Sequence, residues 1–349
     1  MILAPEPRWV REPGLRVAGS RPLDAGKVQA PGAVLLPDGR VRLLYTAIGP
    51  ERPFPDCQGV ILSAISEDGL RFTPEPGIRL APDPAVPDRS LRILAPSVAR
   101  LADGSWRCYV EVRGPADRPT AIASARSADL IDWRWEPGLR IVTPLGVGAP
   151  RWLADADGPG GRLVCTVMRH VPGPDGAPVL TQEAAVARTP DGLTFTLAPE
   201  TLVPARTGTH DSAGITAAQI VPPATDGEPW RLFWSAWEDR PAGAPAPLHP
   251  SADPDAVARG TSRDFAAASI AADLSGYRSR LFCARSVDGV RWGPGAIIVE
   301  GEGYGGTGVD AIHAEDMHVV RRPDGGLRAY DAVCDPGGRW AVASAVPPG

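Results

Sequence analysis

The chain has 349 residues, 43% of them hydrophobic, and its 36 Lys and Arg and 41 Asp and Glu are interspersed, giving a formal net charge of -5 and a pI near 5.6. That balance supplies no basic stripe for a phosphate backbone or an anionic lipid surface, so neither nucleic acid nor membrane is an expected partner, and no apolar run approaches the roughly 18 residues a spanning helix needs. Met1 to Val10 has neither the cationic nor the apolar segment of a leader, and Cys57, Cys108, Cys165, Cys283 and Cys334 form an odd set without CxxC spacing, so a soluble cytoplasmic protein with reduced core thiols is expected.

In chain order, the first element is an aromatic followed by a Pro-containing turn and an apolar strand, Trp9 with Pro13. The same marker returns as Phe72 with Pro76, Trp133 with Pro137, Phe195 with Pro199 and Trp292 with Pro294, the prolines being 63, 61, 62 and 95 residues apart. Three copies are nearly identical: EPGLRV from Glu12, EPGIRL from Glu75 and EPGLRI from Glu136. A fixed period of this length is the signature of a repeat architecture. Ahead of four markers stands an alternating strand closed by a tight turn, ending at Gly69, Leu130, Gly192 and Gly289, which is a hairpin pattern. Earlier in each unit lies another hairpin, carried by Pro31, Asp38 and Tyr45; Pro96, Asp103 and Tyr109; Pro150, Asp157 and Cys165; Ala218, Asp226 and Trp234; and Met317, Asp324 and Tyr330. Each unit therefore predicts four strands, one propeller blade.

The expected fold is all-β: a single five-bladed β-propeller with blades at about 30–80, 94–141, 148–203, 215–299 and 313–346. The last unit supplies three strands only, and the orphan strand at residues 8–17 completes it, so the N-terminal strand closes the ring and leaves no open sheet edge. The 95-residue spacing places an insertion in blade four, 240–279, which is Pro-rich and then Ala-rich. Asp253 before Pro254 offers a helix N-cap there, so the insertion is expected to be partly helical, as a lid or as surface decoration.

Because the chain alternates between two faces, the regular Asp-Gly turns share one face and the longer, irregular connections share the other. Irregular loops on a rigid scaffold are where binding concentrates. All five histidines, His170, His210, His249, His313 and His318, fall on that second face, so a grouping of imidazoles at the channel mouth is expected.

The DGxYxxYY-like hairpins, the Ala95-Pro96 strand opening and the SADLIDW segment from Ser127 to Trp133 resemble the five-bladed glycoside hydrolases, especially families 43, 32 and 130. The resemblance covers nearly the whole chain and rests on scaffold motifs. It implies a carbohydrate-active fold with two carboxylates flanking a glycosidic bond. The residues just before the strand-opening proline or its equivalent are Ala30, Ala95, Ala149, Ala217 and Asp316, so the acid expected before Pro31 is absent and blade four carries Thr216 and Ala217 where a Glu belongs. Replacement acids are Glu315 and Asp316, Glu238 and Asp239, Asp211, and Glu111.

The candidate catalytic set is Asp316, Glu315, His318, Glu238, Asp211 and His210, and the candidate substrate-binding set is Trp237, Arg151, Gln219, His313, His170 and Glu111. The segment His313-Ala314-Glu315-Asp316-Met317-His318 stands out because such polar density in a central strand is costly without a role. Simple alternation puts Asp316 and His318 on one side of their strand. Together with His210, Asp211 and His170 they allow a divalent metal, calcium or zinc, at the channel; the resemblance places a calcium near a channel histidine like His318, and no cofactor is required. The first functional expectation is a glycosidase-like hydrolase acting on a small sugar through Asp316 and a second carboxylate such as Glu238. The second is a cyclase, lyase or isomerase using His318, His313 or His210 as acid–base group. The third is a non-catalytic sugar-binding propeller.

Overall fold

The period-two runs become strands wherever the sequence alternates between turn signals. The computed structural model describes residues 3–115, 117–155, 160–172, 176–204, 214–237 and 278–349. After β1 (Val10–Arg11), blade one comprises β2 (Lys27–Leu35), β3 (Val41–Ile48), β4 (Val60–Ser66) and β5 (Thr73–Pro74). Blade two comprises β6 (Arg92–Arg100), β7 (Trp106–Arg113), β8 (Ala121–Ser127), β9 (Arg134–Trp135) and β10 (Ile141–Val142), the last two both pairing with β8. Blade three is β11 (Val147–Ala154), β12 (Gly161–Pro172), β13 (Pro178–Thr189) and β14 (Thr196–Val203). Blade four is β15 (Gly214–Val221), β16 (Trp230–Trp237), β17 (Ser279–Ser286) and β18 (Ala296–Val299), and blade five is β19 (His313–Arg321), β20 (Leu327–Cys334), β21 (Trp340–Val346) and β1.

The expected five-bladed all-β propeller is thus the fold, and the N-terminal strand closes it, Val10 pairing with Val346 and Arg11 with Ala345. Arg11 fastens the closure further, bonding Asp310 at 2.7 Å and the fully buried Asp331 at 2.5 and 2.7 Å. The innermost strands β2, β6, β11, β15 and β19 pack in a ring around the central channel. Among the described residues the only helical element is a 3-10 turn, Pro87–Arg89, and no helix is long and apolar enough to cross a membrane. Most of the blade-four insertion, 240–279, lies outside the described residues, so the expected helix does too.

The repeated sequence motifs turn out to be staples between blades. In the turns opened by Ser66, Ser127, Thr189 and Ser286, the carboxylates of Asp68, Asp129, Asp191 and Asp288 each accept two following backbone N–H groups. Those bonds pull Asp68, Asp191 and Asp288 down to about 2, because accepted N–H groups favour the ionised form. The Glu of each EPG motif grips an arginine of its own blade with two oxygens: Glu75 holds Arg42 at 2.8 and 2.9 Å and Glu136 holds Arg107 at 2.7 and 2.9 Å. Glu12 does the same for Arg328 at 2.8 Å on each oxygen. Each gripped arginine then donates to a carbonyl of the next blade's turn, Arg42 to Asp129 O at 3.0 Å, Arg107 to Asp191 O at 3.4 Å and Arg328 to Asp68 O at 3.2 Å. The Arg of the same motif spans the same seam, Arg16 reaching Leu70 O, Arg79 Ile131 O and Arg140 Leu193 O.

A partly buried bidentate pair loses most when one partner is neutralised. Glu136→Gln is therefore expected to lower the unfolding free energy by about 2 kcal/mol, read as a lower urea midpoint at unchanged m. A loss under about 0.5 kcal/mol, the range of an ordinary surface change, would show that the motif staples nothing.

Candidate active site at the channel mouth

Pairing along the inner strands breaks where the sequence places its Ala-Pro dipeptides. The register shifts between Gln29 and Gly32, Leu94 and Ser97, Gly148 and Arg151, and Glu315 and His318, with a smaller shift between Ile215 and Ala217 in blade four. At each of the larger breaks one residue takes a left-handed backbone, Ala30 (φ 49°), Ala95 (φ 51°), Ala149 (φ 45°) and Asp316 (φ 53°). Such bulges bend the strand and re-aim a side chain. All four residues, with Thr216 from blade four, line one depression at the channel mouth. On every inner strand the lining ends at this residue, so the bulges form the floor.

The acids converge there. Glu315 and Asp316 both line the depression although they are neighbours in sequence; regular alternation would send them to opposite faces, and the bulge prevents it. Glu111 comes from β7 in blade two. The Asp316 N–H donates to Ser235 Oγ at 2.9 Å, and Ser235 Oγ lies 2.5 Å from Thr216 Oγ1. Trp237 Nε1 donates to Glu315 Oε2 at 2.9 Å, and the same oxygen lies 3.9 Å from His313 Nδ1. Glu111 Oε1 accepts from Arg92 Nη2 at 3.2 Å while Oε2 accepts the Ala149 N–H at 3.3 Å. Burial raises the Asp316 carboxyl well above the usual carboxylate range; the Glu315 charge raises it further, and Arg151 and Lys27 offset only part of that. Asp316 therefore holds its proton more tightly than an ordinary carboxyl.

Other candidates are placed elsewhere. Arg151, 1% exposed, lies beyond the floor and is spent on backbone: Nε donates to Met317 O at 3.2 Å, Nη1 to Pro150 O at 3.1 Å, and Nη2 to Asp316 O at 3.2 Å and Pro31 O at 3.3 Å. Gln219 zips β15 to β19, its Nε2 donating to Val319 O at 2.8 Å and its Oε1 accepting the Val319 N–H at 2.7 Å. His170 is exposed on β12, and His313 is buried, stacked on Trp340 with 5.3 Å between rings and bonded to Ser279 Oγ at 3.0 Å. None of the three described histidines lines the depression, so the expected pooling of imidazoles does not extend to them. Glu238, Asp239, His210, Asp211 and His249 lie outside the described residues.

His318 also departs from simple alternation. Because two residues, Asp316 and Met317, bulge out of register, His318 does not share the depression with Asp316. Its Nδ1 accepts the Ala33 N–H at 2.7 Å, so in the neutral ring Nε2 carries the proton and neither nitrogen keeps a lone pair for a metal. The residues around it do not fit a channel calcium or zinc, and among the described residues no group of three or more His, Cys, Asp or Glu is arranged to hold a metal ion. Burial, with the Arg151 charge, pushes the imidazole down to about 3. The unfolded ring binds a proton near pH 6.5 and the folded ring does not, so stability is full above that value and is lost as pH falls toward 3, by about 2 kcal/mol between pH 7 and pH 5. His318→Asn, whose Oδ1 can accept the same N–H, is expected to flatten that part of the stability–pH curve; an unchanged slope in urea titrations would refute the assignment.

Two cations at the site were not anticipated. Arg92, 3% exposed, pairs with Glu111, and Lys27, 2% exposed, sits with its Nζ 4.2 Å from the Trp340 ring centre and acts on Asp316. Each stands three residues before an Ala-Pro dipeptide, Ala30-Pro31 and Ala95-Pro96; a charge at that fixed place ahead of the dipeptide was the available signal.

No protein-family model matches the sequence, and no curated protein does. Solved structures do match its shape. A member of the family-130 mannoside phosphorylases and glycoside hydrolases that target β-1,2 mannosidic linkages in Candida mannan superposes with a TM-score of 0.63 at 14% identity, over 97% of this chain and 94% of that one. A glycosyl hydrolase from Bacteroides ovatus gives 0.60 at 13% identity, over 97% and 94%, and a thermostable family-43 glycoside hydrolase gives 0.56 at 14%, over 91% and 88%. At these identities the likeness establishes the five-bladed fold.

Proposed function

We propose that this propeller is a glycosidase-like hydrolase that takes a small glycoside into the depression at its channel mouth. The observation that carries the reading is the pairing of unlike carboxyl groups on non-adjacent blades: Asp316 on blade five, its hold on the proton raised by burial and by Glu315, and Glu111 on blade two, ion-paired with Arg92. Glycoside hydrolysis requires one carboxyl that gives a proton to the leaving oxygen and another that acts as base or nucleophile. Asp316 takes the first role and Glu111 the second. Glu315 lies beside Asp316 and is fixed by the Trp237 indole, whose ring offers a face for a sugar. The fold shared with glycoside hydrolases and phosphorylases supports the same reading, as an analogy of scaffold.

A non-hydrolytic reading that relies on imidazoles has less support, because His313 and His318 are both engaged away from the depression. Turnover of a panel of aryl glycosides tests the proposal, with Glu111→Gln expected to lower kcat by about 10³-fold and added azide expected to restore part of it. Full activity in Glu111→Gln would remove Glu111 from the chemistry.

A further inference from the structure

We infer that the three-alanine part of the floor, on blades one to three, is a methyl platform that selects a sugar carrying a deoxygenated carbon, in the simplest case a 6-deoxyhexopyranoside; this rests on the glycoside-acting site proposed above. On three of the five inner strands the floor residue is an alanine, Ala30, Ala95 and Ala149, with Leu94 beside them, while Thr216 and Asp316 complete the floor from blades four and five; each alanine is held at a positive φ of 45–51°. An L-residue with a Cβ is strained there and glycine is not. Left-handed non-glycine residues persist where the surroundings over-determine them, and they cluster at functional sites. Three glycines would make the same bulges without strain; the alanines place three methyl groups there instead.

Several backbone groups beneath these methyls are already engaged or lack a donor. The residues that follow are Pro31, Pro96 and Pro150, which have no N–H. The carbonyls of Pro31 and Pro150 point to Arg151. The N–H groups of Ala95 and Ala149 are taken by Thr46 Oγ1 at 3.0 Å and Glu111 Oε2 at 3.3 Å. Glu111 and Glu315 belong to the walls, and the polar floor residues Thr216 and Asp316 lie on the side of blades four and five. A hydroxymethyl group pressed onto such a floor loses its water without gaining a partner, whereas a methyl group loses nothing. Apolar pockets discriminate against an added hydroxyl by about 10²-fold at most, which bounds the expected preference.

The test uses Asp316→Asn, so that binding is read without cleavage, and two matched pairs of probes in calorimetry: methyl α-L-rhamnopyranoside against methyl α-L-mannopyranoside, and methyl β-D-fucopyranoside against methyl β-D-galactopyranoside. The 6-deoxy member of at least one pair is expected to bind about 10- to 100-fold more tightly. Adding Ala95→Gly or Ala149→Gly is expected to erase most of that preference while leaving Tm unchanged or raised, since the strain is relieved. Equal or tighter binding of the hydroxymethyl members, binding of neither pair, or a preference that survives both glycine substitutions would overturn the platform. Aryl-glycoside turnover that depends on Asp316 but ignores C6 would overturn the platform and leave the acid–base reading standing; a C6 preference in a protein with no Asp316-dependent turnover would do the reverse.

Discussion

Asp316→Asn is expected to lower kcat on any glycoside the protein cleaves by about 10³-fold, while leaving the fold intact. Asparagine tolerates the left-handed backbone as aspartate does, so the bulge at φ 53° survives and the N–H bond to Ser235 Oγ is kept. What disappears is a proton that can be given away. The pH dependence separates this from a packing effect. The neutral carboxyl is the working form, its affinity for the proton is raised by burial and by Glu315, and activity is lost on the alkaline side, as pH climbs through that raised value. Glu315→Gln removes one of the raising charges and is expected to move the alkaline limb to lower pH. Stability carries the same signature with its own sign. A carboxyl whose folded affinity exceeds its unfolded value, near 3.9, keeps its proton in the folded state after the unfolded chain has lost it, so stability declines as pH rises between the two values. Asp316→Asn abolishes that decline and is expected to be the more stable protein at neutral pH. Undiminished turnover in Asp316→Asn, or a pH–rate profile unmoved by Glu315→Gln, would sink the assignment.

The scaffold was legible because its devices are local and repeat. A Glu of the EPG motif must meet an arginine of its own blade, and the arginine must meet the next blade's turn, so Glu12, Glu75 and Glu136 recur at blade spacing. The orphan strand at Val10–Arg11 was legible for the same reason: a three-stranded unit leaves an edge, and the edge must be covered. The convergence of acids was half legible. Glu315, Asp316, Glu111 and Trp237 stood out as polar or aromatic side chains at strand mouths, and they do share one depression. The blade-five bulge was not legible, because Asp316-Met317 stands where three other inner strands carry Ala-Pro, and nothing in its alternation shows a residue dropping out of register until the φ of Asp316 is known. That one backbone angle sends Asp316 and His318 to different environments and turns His318 from a candidate acid–base group into a channel hydrogen-bond acceptor. Arg151 and Gln219 were read as ligand-facing because they are polar on inner strands; they are instead consumed by carbonyls and N–H groups that the bulges and strand seams leave unpaired, as a buried polar group must be.

Arg151 is where architecture and chemistry meet, and its removal is expected to have the largest effect on stability. Its guanidinium is the common partner of bulge carbonyls from blades one, three and five, Pro31, Pro150, Asp316 and Met317. A planar fork of donors can serve several acceptors at once, which an ammonium cannot. Burial draws the side chain down to about 10, so the guanidinium remains charged at neutral pH. Arg151→Met fills much of the volume yet leaves four buried carbonyls without their donor, and is expected to cost about 3–5 kcal/mol of unfolding free energy. Arg151→Lys, which restores charge but not the fork, should recover less than half of that. The second consequence is electrostatic. Arg151 is the foremost of the charges that hold the Asp316 carboxyl down, so without it the proton is bound more tightly, and in whatever fraction of Arg151→Met folds the alkaline limb of activity moves to higher pH, opposite to the shift from Glu315→Gln. A purely structural arginine would lower stability and leave that limb where it was. Retention of full stability in Arg151→Met would mean that the carbonyls of three blades have no need of a shared donor, and the bulge geometry that aims Asp316 would have to be held by the proline-bearing turns alone.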